Sequence, residues 1–124
     1  MGYRLHTATK YEVEYNLEGR FNWGQNHLNS IIECLADGDF WSNGQDCIEA
    51  ANMLEASREN LIKNIDNIIT PNPDWEYQET LDKLIAKMEN DKQCAITREY
   101  LHTELKRLID EADARNAYIH FSWF

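Results

Sequence analysis

The stretch GQDCIEAANMLEASRENLIKNIDNIIT, residues 44–70, decides how the rest of the chain is read. Cys47, Ala51, Leu54, Arg58, Leu61, Ile65 and Ile68 recur in steps of four and three, which sets their side chains on one stripe of an α-helix. Glu49, Glu55, Glu59, Lys63 and Asp66 fall on the opposite, water-facing side. Asn43 is placed to cap the first turn, and Pro71 to stop the helix after Thr70. Such a helix would run about 38 Å, the width of a small domain. Arg58 is the one stripe residue that cannot be buried alone. It requires a partner, either an acid within the chain or one across the seam of a homodimer.

Outward from this strut the pattern changes. Upstream, Leu28, Ile31, Ile32 and Leu35 give a helix over residues 25–36, ended by the turn Asp37-Gly38-Asp39. A loop over residues 38–43 carries Phe40 and Trp41 into the strut. Before the first helix, Tyr3, Leu5 and Thr7, then Tyr11, Val13 and Tyr15, alternate as β-strands do, and residues 16–24 are turn-rich. Downstream, Pro71-Asn72-Pro73 makes a stiff corner. Asp74 is placed to cap a third helix over residues 75–90, with Leu81, Leu84, Ile85 and Met88 inward. Thr97 caps a fourth helix to about Arg115, with Leu101, Leu105, Leu108, Ile109 and Ala112 inward. The last segment, residues 117–124, is apolar on both faces, as a strand buried on two sides or a strand bearing an exposed contact would be. The expectation is one α+β domain over residues 1–124, mainly helical, with about four helices packed on a small antiparallel sheet of N- and C-terminal strands.

Charge narrows the function. Twenty-two acidic residues against twelve basic ones give a net charge of −10, and the basic residues are scattered among carboxylates. That field repels phosphate backbones, so no direct nucleic-acid binding is expected, and it favours a basic protein partner. Three cysteines, Cys34, Cys47 and Cys94, form no Cys-x-x-Cys pair and read as free thiols in a reducing compartment. No 18-residue apolar run and no apolar signal core is present, so the expected location is cytoplasmic, with no membrane partner.

Catalytic and cofactor motifs are sparse. The five glycines form no phosphate loop, and there is no Gly-x-Ser-x-Gly elbow. Glu99 and His102 make a single Glu-x-x-His, where a di-iron bundle needs two and further glutamates. No metal and no cofactor is expected. The segment Arg115-Asn116-Ala117-Tyr118-Ile119-His120 resembles the Arg-x(4–6)-His motif of HEPN-type ribonucleases, in which an asparagine often follows the arginine. The resemblance implies a mostly helical fold and metal-independent RNA cleavage. Arg115 would steady the phosphate and His120 would move the proton.

Against that alternative, acidity and abundant aromatics (four Trp, six Tyr, four Phe) favour a non-enzymatic interaction protein. A sharper form is an inhibitor or decoy that mimics nucleic acid, comparable in composition to phage proteins that block restriction or CRISPR systems. Glu49, Glu55, Glu59 and Asp66 would then imitate phosphates along the long helix and fill a basic groove. Trp23, Trp41, Trp123 and Phe124 are the aromatic candidates for partner contact.

Overall fold

The computed structural model describes residues 5–10, 14–15, 25–42, 52–92, 94 and 96–123. In chain order the elements are β1 (Leu5–Lys10), β2 (Glu14–Tyr15), α1 (Gln25–Leu35), β3 (Phe40–Ser42), β4 (Asn52–Ser57), α2 (Arg58–Asn64), a 3-10 turn (Ile65–Ile68), α3 (Gln78–Glu89), α4 (Arg98–Glu111) and β5 (Tyr118–Trp123). The fold is α+β, with four α-helices and an antiparallel sheet ordered β2-β1-β5-β4-β3. The C-terminal strand does pair with the N-terminal one, as its two-sided apolarity suggests. It also lies at the centre of a sheet larger than expected, because β3 and β4 join from the middle of the chain.

The sheet's register sorts the side chains. Leu54 lies opposite Phe121 and Ala56 opposite Ile119, and all four are buried on the face that the helices cover. Thr7 of β1, opposite Phe121 on the other side, is buried too. Above them sit Leu28, Ile31, Ile32 and Leu35 of α1, Leu81, Ile85 and Met88 of α3, and Leu101, Leu105, Leu108 and Ile109 of α4, in one core cluster. These are the inward residues that the helical spacing picks out. Leu84 stands at the margin, only partly buried.

The long helix over residues 44–70 is not what forms. Residues 52–57 are the strand β4, paired to β5 along its whole length and to β3 on its other edge. Ala, Met, Leu and Glu favour a helix, but Leu54 and Ala56 also alternate with Glu55, which suits a strand equally well. Two hydrogen-bonded neighbours then outweigh the intrinsic preference. The helix starts where Ser57 caps it, its hydroxyl accepting from the Asn60 N–H at 3.3 Å. From there the periodicity holds, since Leu61, Ile65 and Ile68 are buried. Asn43, Gly44, Cys47, Glu49 and Ala51 lie outside the described residues.

Three further boundaries move for identifiable reasons. Residues 40–42, expected in a loop, form the strand β3 against β4, after a turn with Asp37 (φ 57°) and Gly38 (φ 86°) in the left-handed region. Asp74 does not cap α3, which begins at Gln78. The Asn72 side chain accepts from the Asp74 N–H at 3.0 Å. The buried Gln78 side chain accepts from the Asn72 N–H at 2.8 Å and donates to the Asn67 carbonyl at 3.2 Å, so the corner is held as a turn. Finally, α4 stops at Glu111 instead of about Arg115, with Ala112 extended. Thr97 caps its start as expected, accepting from the Tyr100 N–H at 3.2 Å.

Arg58 explains that early stop. Its Nε donates to the Asn116 carbonyl at 3.1 Å, its Nη2 donates to the Asp113 carbonyl, and its backbone N–H donates to the Ala117 carbonyl at 2.9 Å. The start of α2 therefore grips the turn that feeds β5. A hydrogen bond involving a charged group contributes about 1.5–3 kcal/mol, and less where it is only partly buried, as these are. Arg58→Ala should thus lower the unfolding free energy by about 2 kcal/mol, read as a lower urea midpoint at unchanged slope. Ile62→Ala, at an exposed site on the same helix, should stay within about 0.5 kcal/mol of the parent.

Candidate interaction surface

Helices α1 and α3 run antiparallel. His27, near the start of α1, pairs with Asp91 just past the end of α3 (Nε2 to Oδ2, 2.8 Å), while Cys34 near the end of α1 contacts the Tyr77 carbonyl before α3 (3.8 Å). The end of α1, the turn over residues 37–39, β3 and the start of α3 therefore share one pole of the molecule. An open cleft of about 310 Å³ lies there, mostly apolar, walled by Ser30, Glu33 and Cys34 of α1, Phe40 of β3, and Tyr77 and Thr80. Phe40 is 40% exposed there, whereas its neighbour Trp41, 53% exposed, faces the other side of the sheet with Glu55.

Carboxylates dominate the electrostatics of this pole. Burial pushes the Glu33 carboxyl above its usual value, and a hydrogen bond from Ser42 pulls it partly back. Burial, then the charge of Asp37, pushes the Cys34 thiol up to about 11. Tyr77 is raised by its hydrogen bond to Glu76 and by that residue's charge, with Asp37 and Cys34 adding smaller effects. Tyr118, whose hydroxyl donates to Asp39 Oδ1 at 2.6 Å, is raised by that bond and that charge. Burial and Asp37 thus keep the Cys34 thiol protonated, Glu76 and Asp37 do the same for the Tyr77 phenol, and Asp39 for the Tyr118 phenol.

Several acids elsewhere are paired locally. Lys83 pairs with Glu79 at 3.2 Å, Arg98 with Asp82 at 3.7 Å, Arg107 with Glu111 at 3.1 Å and Glu104 at 3.9 Å, and Arg115 with Asp113 at 3.1 Å. Among the described residues, none of Glu33, Asp37, Asp39 or Glu76 pairs with a lysine or arginine.

The residues singled out by sequence fall in several places. Trp41, Glu55 and His120 stand in one cross-strand row on the sheet face away from the helices, with His120 Nδ1 at 3.2 Å from Glu55 Oε1. Glu59 is exposed on α2. Asp66 is exposed on the 3-10 turn, and its hydrogen bond to His102 at 2.9 Å holds its carboxyl below the usual value. Glu55, Glu59 and Asp66 therefore share no single helix. Arg115 lies in the turn before β5, where its side chain and backbone N–H bind Asp113 and lower that carboxyl. His120 lies in the central strand itself. Trp123 is in β5, opposite Leu5 and Asn52 in register, and Trp23, Glu49 and Phe124 lie outside the described residues.

Sequence reasoning gave no site role to Glu33, Asp37, Cys34, Tyr77 or Thr80, reading Cys34 only as a free thiol and Asp37 as part of a turn. The one signal for them was that two turn-forming corners, Asp37-Gly38-Asp39 and Pro71-Asn72-Pro73, bound helices able to pack antiparallel. Among the described residues no cluster of three or more His, Cys, Asp or Glu side chains could hold a metal ion, and no helix is long and apolar enough to cross a membrane. Comparison with known proteins finds no family model, no curated protein and no solved structure that matches the chain.

The raised thiol gives a direct check on this environment. At pH 8.5 the folded protein holds Cys34 mostly protonated, whereas unfolding restores an ordinary thiol. Iodoacetamide labelling of Cys34, followed by peptide mapping, should be at least about tenfold slower in buffer than in urea. Equal rates would contradict the described burial and charge.

Proposed function

We propose that this chain is a non-enzymatic, acidic protein-interaction protein that engages a basic surface of a protein partner. In its sharper form it is an inhibitor or decoy that occupies a groove meant for nucleic acid, the role that phage anti-restriction and anti-CRISPR proteins fill. The observation that carries the reading is a group of carboxylates at the α1–β3–α3 pole with no lysine or arginine partner among the described residues, set beside exposed Phe40. Desolvating carboxylates that already have cations would gain little, whereas these, which have no cationic partner among the described residues, would gain one from a basic surface. The adjoining aromatics supply apolar area, the usual composition of an interface core beside a charged rim. The decoy no longer depends on a stripe through Glu49, Glu55, Glu59 and Asp66. Its acidic surface is centred on Glu33, Asp37, Asp39 and Glu76 instead.

The test is capture of a partner on the immobilised protein, with stepwise salt elution and DNA competition. The expected result is a nucleic-acid-binding protein released by moderate salt, displaced by duplex DNA, and not retained by a Glu33→Gln, Asp37→Asn, Asp39→Asn, Glu76→Gln variant. A partner that survives high salt and ignores DNA would replace the decoy with an aromatic contact. RNA cleavage by the purified protein, abolished by Arg115→Ala and by His120→Ala, would overturn the non-enzymatic reading in favour of the ribonuclease one.

A further inference from the structure

We propose that the cleft between α1, β3 and the start of α3 receives a single arginine or lysine side chain carried on a basic segment of the partner, an inference that rests on the interaction reading above. The cleft's volume, about 310 Å³, stands at the low end of the range for ligand pockets, roughly 300–1,000 Å³, and so suits one side chain. Its lining has two parts. Phe40, Tyr77 and Cys34 offer apolar and aromatic surface, while Glu33 lines the wall and Asp37 acts on both Cys34 and Tyr77. A long cationic side chain has the same two parts, an apolar stem and a charged head. Its stem would lie along Phe40 and Tyr77, with the head meeting Glu33 in the field of the neighbouring Asp37, and a cation beside aromatic rings gains further.

Other occupants fit less well. An anion would meet the Glu33 carboxylate in the wall and the nearby charge of Asp37, and a purely apolar group would desolvate Glu33 without compensating it. The smaller cleft of about 130 Å³ between the 3-10 turn and α4 makes a useful contrast. There Asp66 and Asp110 are joined by Lys106, so that site carries its own cation.

The probes are Nα-acetyl-arginine methylamide, Nα-acetyl-lysine methylamide and Nα-acetyl-norleucine methylamide, titrated into the ¹⁵N-labelled full chain. The two cationic probes should give saturable amide shifts confined to residues 30–40 and 77–80. Norleucine should bind at least about tenfold more weakly, and Glu33→Gln should weaken arginine binding about tenfold. Thr80→Trp, which fills the cleft from an exposed helix position, should abolish the shifts. Equal binding of norleucine and arginine, or shifts scattered over the surface, would overturn the assignment. The two levels separate cleanly. A partner captured by the parent and equally by Thr80→Trp leaves the interaction reading intact and removes the cleft from it. Failure of the parent to capture any partner removes the interaction reading, while the titration still decides the cleft.

Discussion

The structure depends on the insertion of its last strand. β5 is hydrogen-bonded on both edges, to β1 from the start of the chain and to β4 from the middle, so the sheet has no centre until residues 118–123 are in place. Burial of Ile119 and Phe121 beneath the helices is the apolar counterpart of that pairing. Closing such a sheet joins segments separated by more than a hundred residues, which places the loop-closure cost before the reward. Arg58 lowers that cost locally, because it fixes the turn leading into β5 while starting α2 on the neighbouring strand.

The same closure builds the acidic pole. Once β4 is fixed beside β5, β3 is held at its outer edge, and the turn over residues 37–39 is carried against the start of α3. Asp37 and Glu76 then raise the titration of Tyr77, Asp37 adds to burial at Cys34, and Asp39 raises that of Tyr118. Like charges gathered without counterions weaken a fold. A surface of this kind contributes nothing to stability by its charges alone, and in the proposed function it serves a basic partner.

Much of the helical core was legible because its signals are local. The 3.6-residue spacing of Leu28, Ile31, Ile32 and Leu35, and the Thr97 cap before Leu101 and Leu105, depend on neighbours within a turn or two. β5 was legible for a different reason: apolar residues on both faces are compatible with few places other than the middle of a sheet. Residues 52–57 were not, since Leu54-Glu55-Ala56 satisfies a helical stripe and a strand alternation together, and only the distant β5 decides between them. Asp74 was misleading because Gln78, four residues on, ties the Asn72 corner shut. The acidic pole lies beyond any local pattern, as it joins residues 33–39 to residues 76–80 through helix packing.

The most direct test of the account is hydrogen exchange on the full chain with and without its captured partner. Binding through the proposed surface predicts added protection at residues 33–42 and 76–80, with little change along residues 59–66 and 106–110. Protection concentrated on those latter residues, with the α1–β3–α3 pole exchanging as freely as before, would contradict it.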